Sequence, residues 1–320
     1  MDMYNIYEYI ENIYIYIDID IISTNYIHGF RVHGYRGAKT LDKKYIAIGA
    51  VIVLIVAAVG VYALGGDDNA NDESKPTVVV SGSTTVLPVM NVVAEKYKDA
   101  KLNVTSGGSS AGAQNCIDGV NDIGMLSRDL KDSEKNAGLI PVVIAKDAVA
   151  VIVDKDAGVS NLTLEQIAKI YAGEITNWKD VGGADLKITC VVREAGSGTR
   201  DCFNEAISTK YKADYDTIMT GYQSTNSNGN MAKAIDNGKG AIGYVGLSYI
   251  SGLTDNVTVV SVDGVEASVS ATLDGTYEIT RSLILVTRGA PSATEQSVID
   301  FILSADGQKI VEEEGYVPII

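Results

Sequence analysis

The chain has 320 residues, 46% of them hydrophobic, which is enough for one large or two medium domains with buried cores. Its net charge of −15 at pH 7 argues against a nucleic-acid partner, because binding to DNA or RNA depends on neutralising phosphates with basic residues. Both histidines, His28 and His33, precede the folded region predicted below. A Ser–His–Asp triad or a histidine-rich metal site is therefore excluded there, and we expect no metal and no cofactor.

Residues 1–44 form an N-terminal tail with an unusual composition. Met1–Tyr26 is dominated by Tyr, Ile, Asn and Asp and has neither a helical nor a strand period. It is either an odd cytoplasmic tail or upstream sequence that is not translated. In the second case translation starts at Leu41, read from a UUG codon as Met, and no peptide from residues 1–36 would be detected in the native organism.

Residues 45–64 are predicted to cross a membrane. They contain no charged side chain and approach the ~20 apolar residues that a spanning helix needs. Three lysines precede them, and Asp67 and Asp68 follow, so the rest of the chain should face the extracytoplasmic side. We favour an uncleaved anchor in the cell membrane; the alternatives are a cleaved signal peptide and a buried core helix.

Residues 65–76 are polar and read as a linker, and the globular part starts near Thr77. Short β-branched runs at 77–80, 148–153 and 188–192 alternate with helical stretches, which predicts an α/β fold with a mostly parallel sheet. The stretch 164–171 has apolar residues at helical spacing, and we interpret it, with Trp178, as scaffold. The three cysteines show no CxxC spacing and are expected to be buried; a single disulfide is the alternative.

Three segments share one design, a strand followed by a Gly/Ser/Thr turn and a helix. Their turns are SGSTT (81–85), TSGGSSAGAQ (105–114) and AGSGT (195–199). Because the first N–H groups of a helix lack intrahelical partners and carry partial positive charge, each turn could hold an anion. No Lys follows the glycines, so none is a P-loop. Arg193 precedes the third turn and suits bidentate contact with a tetrahedral anion.

These segments resemble the phosphate-binding protein of the phosphate-specific ABC transporter, within the periplasmic-binding superfamily. The matching stretches are SGSTTVLPVM, TSGGSSAGAQNCIDGVNDIGMLSRDL, LTLEQIAKIYAGEITNWKDVGG, VVREAGSGTRDCF, GAIGYVGLSYI and YEITRSLILVT. The resemblance implies a type II fold with mixed sheets, in which two α/β lobes joined by hinge crossings close on inorganic phosphate. Residues 77–148 would form the first part of lobe 1, 149–247 lobe 2, and 248–320 the second part of lobe 1.

Carried over position by position, the resemblance implies a set of phosphate contacts from all three turns and the segment around residue 127. They are Thr84, Thr85 through its N–H, Ser109, Ser127, Arg193, Ser197, Gly198 and Thr199. Ser127 occupies the place of an Asp in some members. Ala195 stands where some members carry an Asp that accepts the proton of bound phosphate. Arg128 is either a second charge near the cleft or a salt-bridge partner.

Because Ala195 has no carboxylate, another acidic residue should accept the phosphate proton and repel sulfate. Glu194 is adjacent, but side chains alternate along a strand, so it should point away from Arg193 unless the strand has ended. Asp129 is a further candidate, though a solvated turn acid fits it better. Our choice is Asp147, placed by the resemblance at the floor of the cleft; its alternative role is a hydrogen-bonded hinge residue.

The resemblance implies a monomeric receptor without enzymatic activity that delivers phosphate to ABC permease subunits. Three other functions stay open: a receptor for sulfate or molybdate, a phosphate sensor, and a phosphoryl-transfer or ester-hydrolysing enzyme with Ser109 or Ser197 as nucleophile. The enzyme would lack a histidine base.

Overall fold

The structure is a computed structural model that describes residues 75–320. Within that range no helix combines the length and the apolar character needed to span a bilayer. The tail at 1–44, the predicted membrane segment at 45–64 and most of the linker lie outside the described residues.

The described chain alternates strands and helices, so the predicted α/β class is confirmed. The strands are β1 Thr77–Gly82, β2 Lys101–Ser106, β3 Ile123–Leu126, β4 Leu139–Asp154, β5 Asn161–Leu162, β6 Thr189–Arg193, β7 Gln223–Thr225, β8 Ala241–Gly246, β9 Val257–Val262 and β10 Thr280–Arg288. The helices are α1 Leu87–Lys96, α2 Ser109–Ile117, α3 Asp132–Asn136, α4 Leu164–Tyr171, α5 Gly198–Lys210, α6 Tyr215–Ile218, α7 Asn228–Asp236, α8 Val269–Leu273, α9 Ala293–Leu303 and α10 Ala305–Glu313.

The sheet is mixed rather than mostly parallel. Strands β2, β1 and β3 are parallel neighbours, and β6 is parallel to β7 and β8. The long β4 and β10 between these groups pair antiparallel to each other, and each also pairs antiparallel with its other neighbours. The β-branched runs signalled strands but carried no information on their direction, because direction depends on how distant segments meet.

Two hydrophobic cores lie along this sheet. The first core includes Val80, Met90, Ile123 and Leu285, and strands β3 and β10 place a small cluster around Leu126 and Ile284 on their other face. The second core packs around Tyr171, Trp178, Phe203 and Tyr244. Strand β4 contributes to both. Ile144 and Ala145 belong to the first core, and the second core takes Ala148, Val149, Val151, Ile152 and Val153.

Part of the chain after residue 247 packs in the second core. Val260, Val262, Tyr277 and Ile279 pack in the second core, because β9 pairs with the C-terminal half of β4. The chain returns to the first core at β10, after Ile279.

Local sequence signals explain the scaffold helix α4. The Thr163 hydroxyl accepts from the N–H of Gln166, and the Gln166 side chain accepts from the N–H of Thr163, which forms a capping box. The residues at its helical apolar spacing are buried, as is Trp178, which donates to the carbonyl of Gly240 at 3.0 Å. The predicted scaffold role is confirmed.

The cysteines at 116, 190 and 202, all within the described range, are buried and unpaired, as expected from the sequence. Burial raises the pKa of both Cys190 and Cys202 to about 12, so these thiols stay protonated at neutral pH.

Candidate functional site

Three parallel strands bring the predicted contacts of the first core to one edge of the sheet. Thr84 and Thr85 follow β1, Ser109 follows β2 and Ser127 follows β3, and parallel neighbours end at the same edge. The hydroxyls contact one another there: Ser109 Oγ lies 3.4 Å from Ser127 Oγ and accepts from the Ser127 N–H at 3.1 Å. All four side chains are buried.

The third turn reaches the same place from the second core. The hydroxyls of Thr199 and Thr85 lie 3.2 Å apart. A Cβ added at Gly198 would collide with Ser109 Oγ and lie 2.7 Å from Ser127 Oγ, so only glycine permits this approach. Ser197 and Thr199 are each 1% exposed. The eight predicted contacts therefore come from both cores. We call the buried hydroxyl-bearing residues among them the hydroxyl cluster: Thr84, Thr85, Ser109, Ser127, Ser197 and Thr199.

The three helices that follow the predicted turns begin at the hydroxyl cluster. The residues before α1 and α2, Val86 and Gly108, make no side-chain cap, whereas Ser197 accepts from the N–H of Arg200 at the start of α5. Gly108 adopts φ 89°, a conformation that favours glycine, and so lets the chain turn sharply into α2. The first N–H groups of these helices give the cluster a positive potential without basic side chains.

Arg193 ends β6 and is 1% exposed. Its Nη2 donates to Thr84 Oγ1 at 3.3 Å, across from the first core. Its backbone N–H donates to the Tyr244 hydroxyl at 3.1 Å, which fixes the end of the strand. The Nη1 atom is buried and has no hydrogen-bond partner within residues 75–320. A buried guanidinium with an unused donor is suited to an anionic ligand.

Glu194 does not point away from Arg193, which is the exception that the sequence left open for a strand that had already ended. Strand β6 ends at Arg193, so the alternation does not extend to Glu194. Its two carboxylate oxygens accept from Nη2 and Nε of Arg193 at 2.9 and 2.8 Å. The side chain is 26% exposed. A carboxylate therefore lies at the cluster although Ala195 occupies the position of the family's Asp.

Asp147 is fully buried but does not hydrogen-bond to the cluster directly. Its Oδ2 accepts from Nε and Nη2 of Arg281 at 2.9 and 2.7 Å, and its Oδ1 accepts from the Leu247 N–H at 3.0 Å. Arg281 Nη2 in turn donates to Thr85 Oγ1 at 3.2 Å. Burial raises the pKa of Asp147 above its usual range, against the opposing effect of the guanidinium.

Asn228 is a contact of the cluster that the sequence reasoning missed. It is fully buried at the start of α7, and its amide donates to Thr85 Oγ1 at 2.9 Å and to Thr84 Oγ1 at 3.3 Å. Its carbonyl accepts from the Gly246 N–H at 3.3 Å. The available signal was the order strand β7, polar turn, helix α7, which repeats the design of the other three turns.

Arg128 forms salt bridges. Nη1 and Nη2 donate to the two carboxylate oxygens of Glu134 at 2.8 and 2.7 Å, and Nε lies 2.9 Å from Oδ2 of Asp201. Of the two roles open from the sequence, these contacts match the salt-bridge partner. The other candidate acid, Asp129, is bonded by Arg128 only through its backbone carbonyl, at 2.9 Å.

Known proteins share this architecture. A family model described as a PBP superfamily domain matches residues 68–306. The phosphate-binding protein PstS of Bacillus subtilis is 33% identical over 284 residues, which cover 84% of this chain and 91% of that protein. The PstS of Borreliella burgdorferi is 30% identical, with coverages of 78% and 92%.

A crystal structure gives the same relationship in three dimensions. It shows a candidate phosphate ABC transporter substrate-binding protein from Clostridium perfringens with bound phosphate. It superposes with a TM-score of 0.71 at 42% identity, covering 76% of this chain and 100% of that one. The extent of these matches means that the chain belongs to the PBP superfamily and, within it, to the family of the phosphate-binding proteins PstS.

Proposed function

We propose that this protein captures inorganic phosphate outside the cytoplasm and delivers it to the permease subunits of an ABC importer. The observation that carries the proposal is the hydroxyl cluster, where the starts of three helices meet buried hydroxyl side chains beside Arg193, whose Nη1 has no partner in the described chain. The relatives named as phosphate-binding proteins cover most of the chain and support the same ligand.

The cluster suits binding rather than chemistry. Phosphate has four oxygens arranged tetrahedrally, and donors that arrive from several directions match it. The predicted contacts supply hydroxyls and N–H groups from both cores, and the guanidinium of Arg193 supplies the charge. The relatives are named as binding proteins, and we assign this chain the same non-enzymatic role.

Two carboxylates are candidates for accepting the proton that phosphate keeps near neutral pH. Asp147 is the choice from the sequence, and it acts on the cluster only through Arg281 and Thr85. Glu194 bonds directly to Arg193. The contacts favour Glu194, because a proton acceptor must lie within hydrogen-bond reach of the ligand. Either carboxylate would repel fully ionised sulfate.

We further propose that the two cores correspond to two lobes joined by β4 and β10, and that the receptor is a monomer. Tethering by residues 45–64 is proposed from the sequence alone. Membrane fractionation of the native organism tests it, since a cleaved protein would appear in the soluble or secreted fraction.

Isothermal calorimetry of the purified protein with phosphate, arsenate, sulfate and molybdate tests the function. We expect one phosphate per chain with a Kd at or below the micromolar range, about 8 kcal/mol or more of binding free energy. Tighter binding of sulfate or molybdate than of phosphate would reassign the ligand. A gene neighbourhood without a permease and an ATPase would favour a sensor.

A further inference from the structure

An ion pair lies directly beside the hydroxyl cluster and joins segments from the two cores. Arg128 follows the predicted contact Ser127, and Asp201 lies two residues after the predicted contact Thr199. Nε of Arg128 is 2.9 Å from Oδ2 of Asp201, and Nζ of Lys131 is 3.4 Å from the same oxygen. Each residue of the pair therefore lies within two positions in the chain of a predicted phosphate contact.

Arg128 is held firmly on the side of the first core. Beside the two bonds to Glu134, its Nη1 donates to the carbonyl of Asp129 at 2.9 Å and its Nη2 donates to Ser110 Oγ at 3.1 Å. The side chain is 6% exposed. These contacts fix the guanidinium in one orientation, so little side-chain entropy is lost when Asp201 meets it.

Asp201 belongs to the other side. It lies in the first turn of α5, whose Cys202 and Phe203 pack in the second core. Both Arg128 Nε and Asp201 Oδ2 are buried, and neither makes a hydrogen bond of normal geometry in the described chain. Their contact is therefore one of charge, and it exists only while the two segments lie together.

We infer that Asp201 is a positioning residue for the ligand: its charge holds the Ser197–Thr199 turn against the Ser127 segment through Arg128 and so slows release of the bound anion. Among the described residues the Asp201 carboxylate makes no hydrogen bond to the cluster; only its backbone N–H does, by donating to the Ser197 carbonyl at 2.9 Å. The inference rests on the proposed function, because it concerns how strongly the same site retains phosphate.

The pairing atoms are buried, but solvent reaches the rest of the Asp201 side chain from one side. Asp201 is 31% exposed and, with Arg128 and Lys131, lines a cavity of about 480 Å³ next to β10. Dissolved ions can therefore weaken the attraction, unlike that of a sealed pair. The ion pair should retain the ligand less well at high salt.

The test is the variant Asp201→Asn, which removes the charge and keeps the shape. Phosphate affinity should fall about tenfold, mainly through faster dissociation in stopped flow, as expected when one partner of a close charge pair is lost. The effect should shrink at 1 M NaCl. Asp201→Glu, which keeps the charge, should recover part of the loss.

The sign of the change separates this role from general electrostatics. Removing any negative charge near an anion site should tighten binding, whereas loss of the ion pair loosens it. Asp216→Asn is the matched control. Asp216 of α6 pairs with Arg200 of α5 at 3.6 Å, and both helices pack in the second core. It should leave phosphate dissociation unchanged or slightly slower.

Unchanged or tighter phosphate binding by Asp201→Asn overturns the inference, and so does an equal loss in Asp216→Asn. The inference also fails if Asp201→Asn lowers the melting temperature of the ligand-free protein while phosphate dissociates at the wild-type rate. In that case Asp201 acts only as a charge at a helix N-terminus. If the wild-type protein binds sulfate or molybdate instead of phosphate, the proposed ligand is wrong, and the same variants test the ion pair with that anion. Binding of none of them overturns both.

Discussion

Two pairs of a buried arginine and a carboxylate flank the hydroxyl cluster, and they are built in different ways. Arg193 pairs with Glu194, its neighbour in the chain, just beyond the end of β6. Arg281 pairs with Asp147 across two antiparallel strands, where the two residues are direct partners in the β10–β4 register. In both pairs the arginine keeps an Nη1 without a hydrogen-bond partner in the described chain, and each arginine donates to a threonine of the first turn.

The construction separates their roles. The carboxylate of Glu194 is partly exposed, and the pair lies where β6 ends, next to the third turn. Asp147 is fully buried within the β4–β10 strand pair and takes a third hydrogen bond from the Leu247 N–H. We therefore assign Arg193 to the ligand and Arg281 to the framework that orients Thr85.

The largest effect on binding should come from Arg193→Ala. We expect a loss of about 2–5 kcal/mol of phosphate binding, because a buried anion would lose its charged partner. Calorimetry measures it, with Arg288→Ala as the control, since Arg288 is an exposed arginine at the end of β10. Wild-type affinity in Arg193→Ala would remove this residue from the site.

The largest effect on stability should come from Asp147→Asn. Arg281 would remain charged and buried with a weaker partner, which should cost about 3 kcal/mol in the free energy of unfolding. Urea denaturation measures the change. Asp185→Asn is the control, because Asp185 pairs with Lys179 at the exposed surface and should leave the midpoint unchanged.

The double variant Asp147→Leu with Arg281→Met sharpens this comparison. Replacing both partners removes the unpaired charge, so the pair of substitutions should be less destabilising than Asp147→Asn alone. A larger loss of unfolding free energy in the double variant would mean that the hydrogen bonds to Leu247 and Thr85, rather than the charge pairing, hold β4 and β10 together.

A smaller effect is expected for Glu194→Gln, and it appears in selectivity. Phosphate affinity should change less than tenfold, while sulfate binding should become measurable because the repelling carboxylate is gone. Asp147→Asn, measured in parallel, tests the choice made from the sequence. If Asp147→Asn still binds phosphate and rejects sulfate while Glu194→Gln accepts it, Glu194 is the discriminating carboxylate. The opposite result restores Asp147.

The parts of this site that could be read from the sequence are those encoded locally. Each turn with its helix start lies within about a dozen residues, and Arg193 stands next to one of them, so pattern and resemblance sufficed. The pairing of Asp147 with Arg281 spans 134 residues and depends on strand register, which the sequence pattern does not show. Asn228 was hidden because its turn, STNSN, has the composition of an ordinary surface loop.

A third buried pair, Arg128 with Glu134, gives the smallest effect, a pH dependence of stability. Burial alone would raise the pKa of Glu134, but Arg128 and the Lys131 N–H outweigh it, and the pKa is lowered. An acid whose pKa is lowered on folding stabilises the protein above its unfolded value near 4.5 and loses that contribution as pH falls through the folded value. Urea midpoints of wild type and Glu134→Gln should therefore converge as the pH is lowered below 4.5.

Salt identifies the origin of that pH effect. Glu165 also has a lowered pKa, through Lys169 at 2.6 Å, but this pair lies on the exposed surface of α4. Screening by 1 M NaCl should abolish the difference between wild type and Glu165→Gln and preserve most of the difference for Glu134→Gln, because Glu134 is only 8% exposed. Equal salt sensitivity of the two variants would show that the Arg128 pair is hydrated, and would weaken its role as the fixed half of the contact with Asp201.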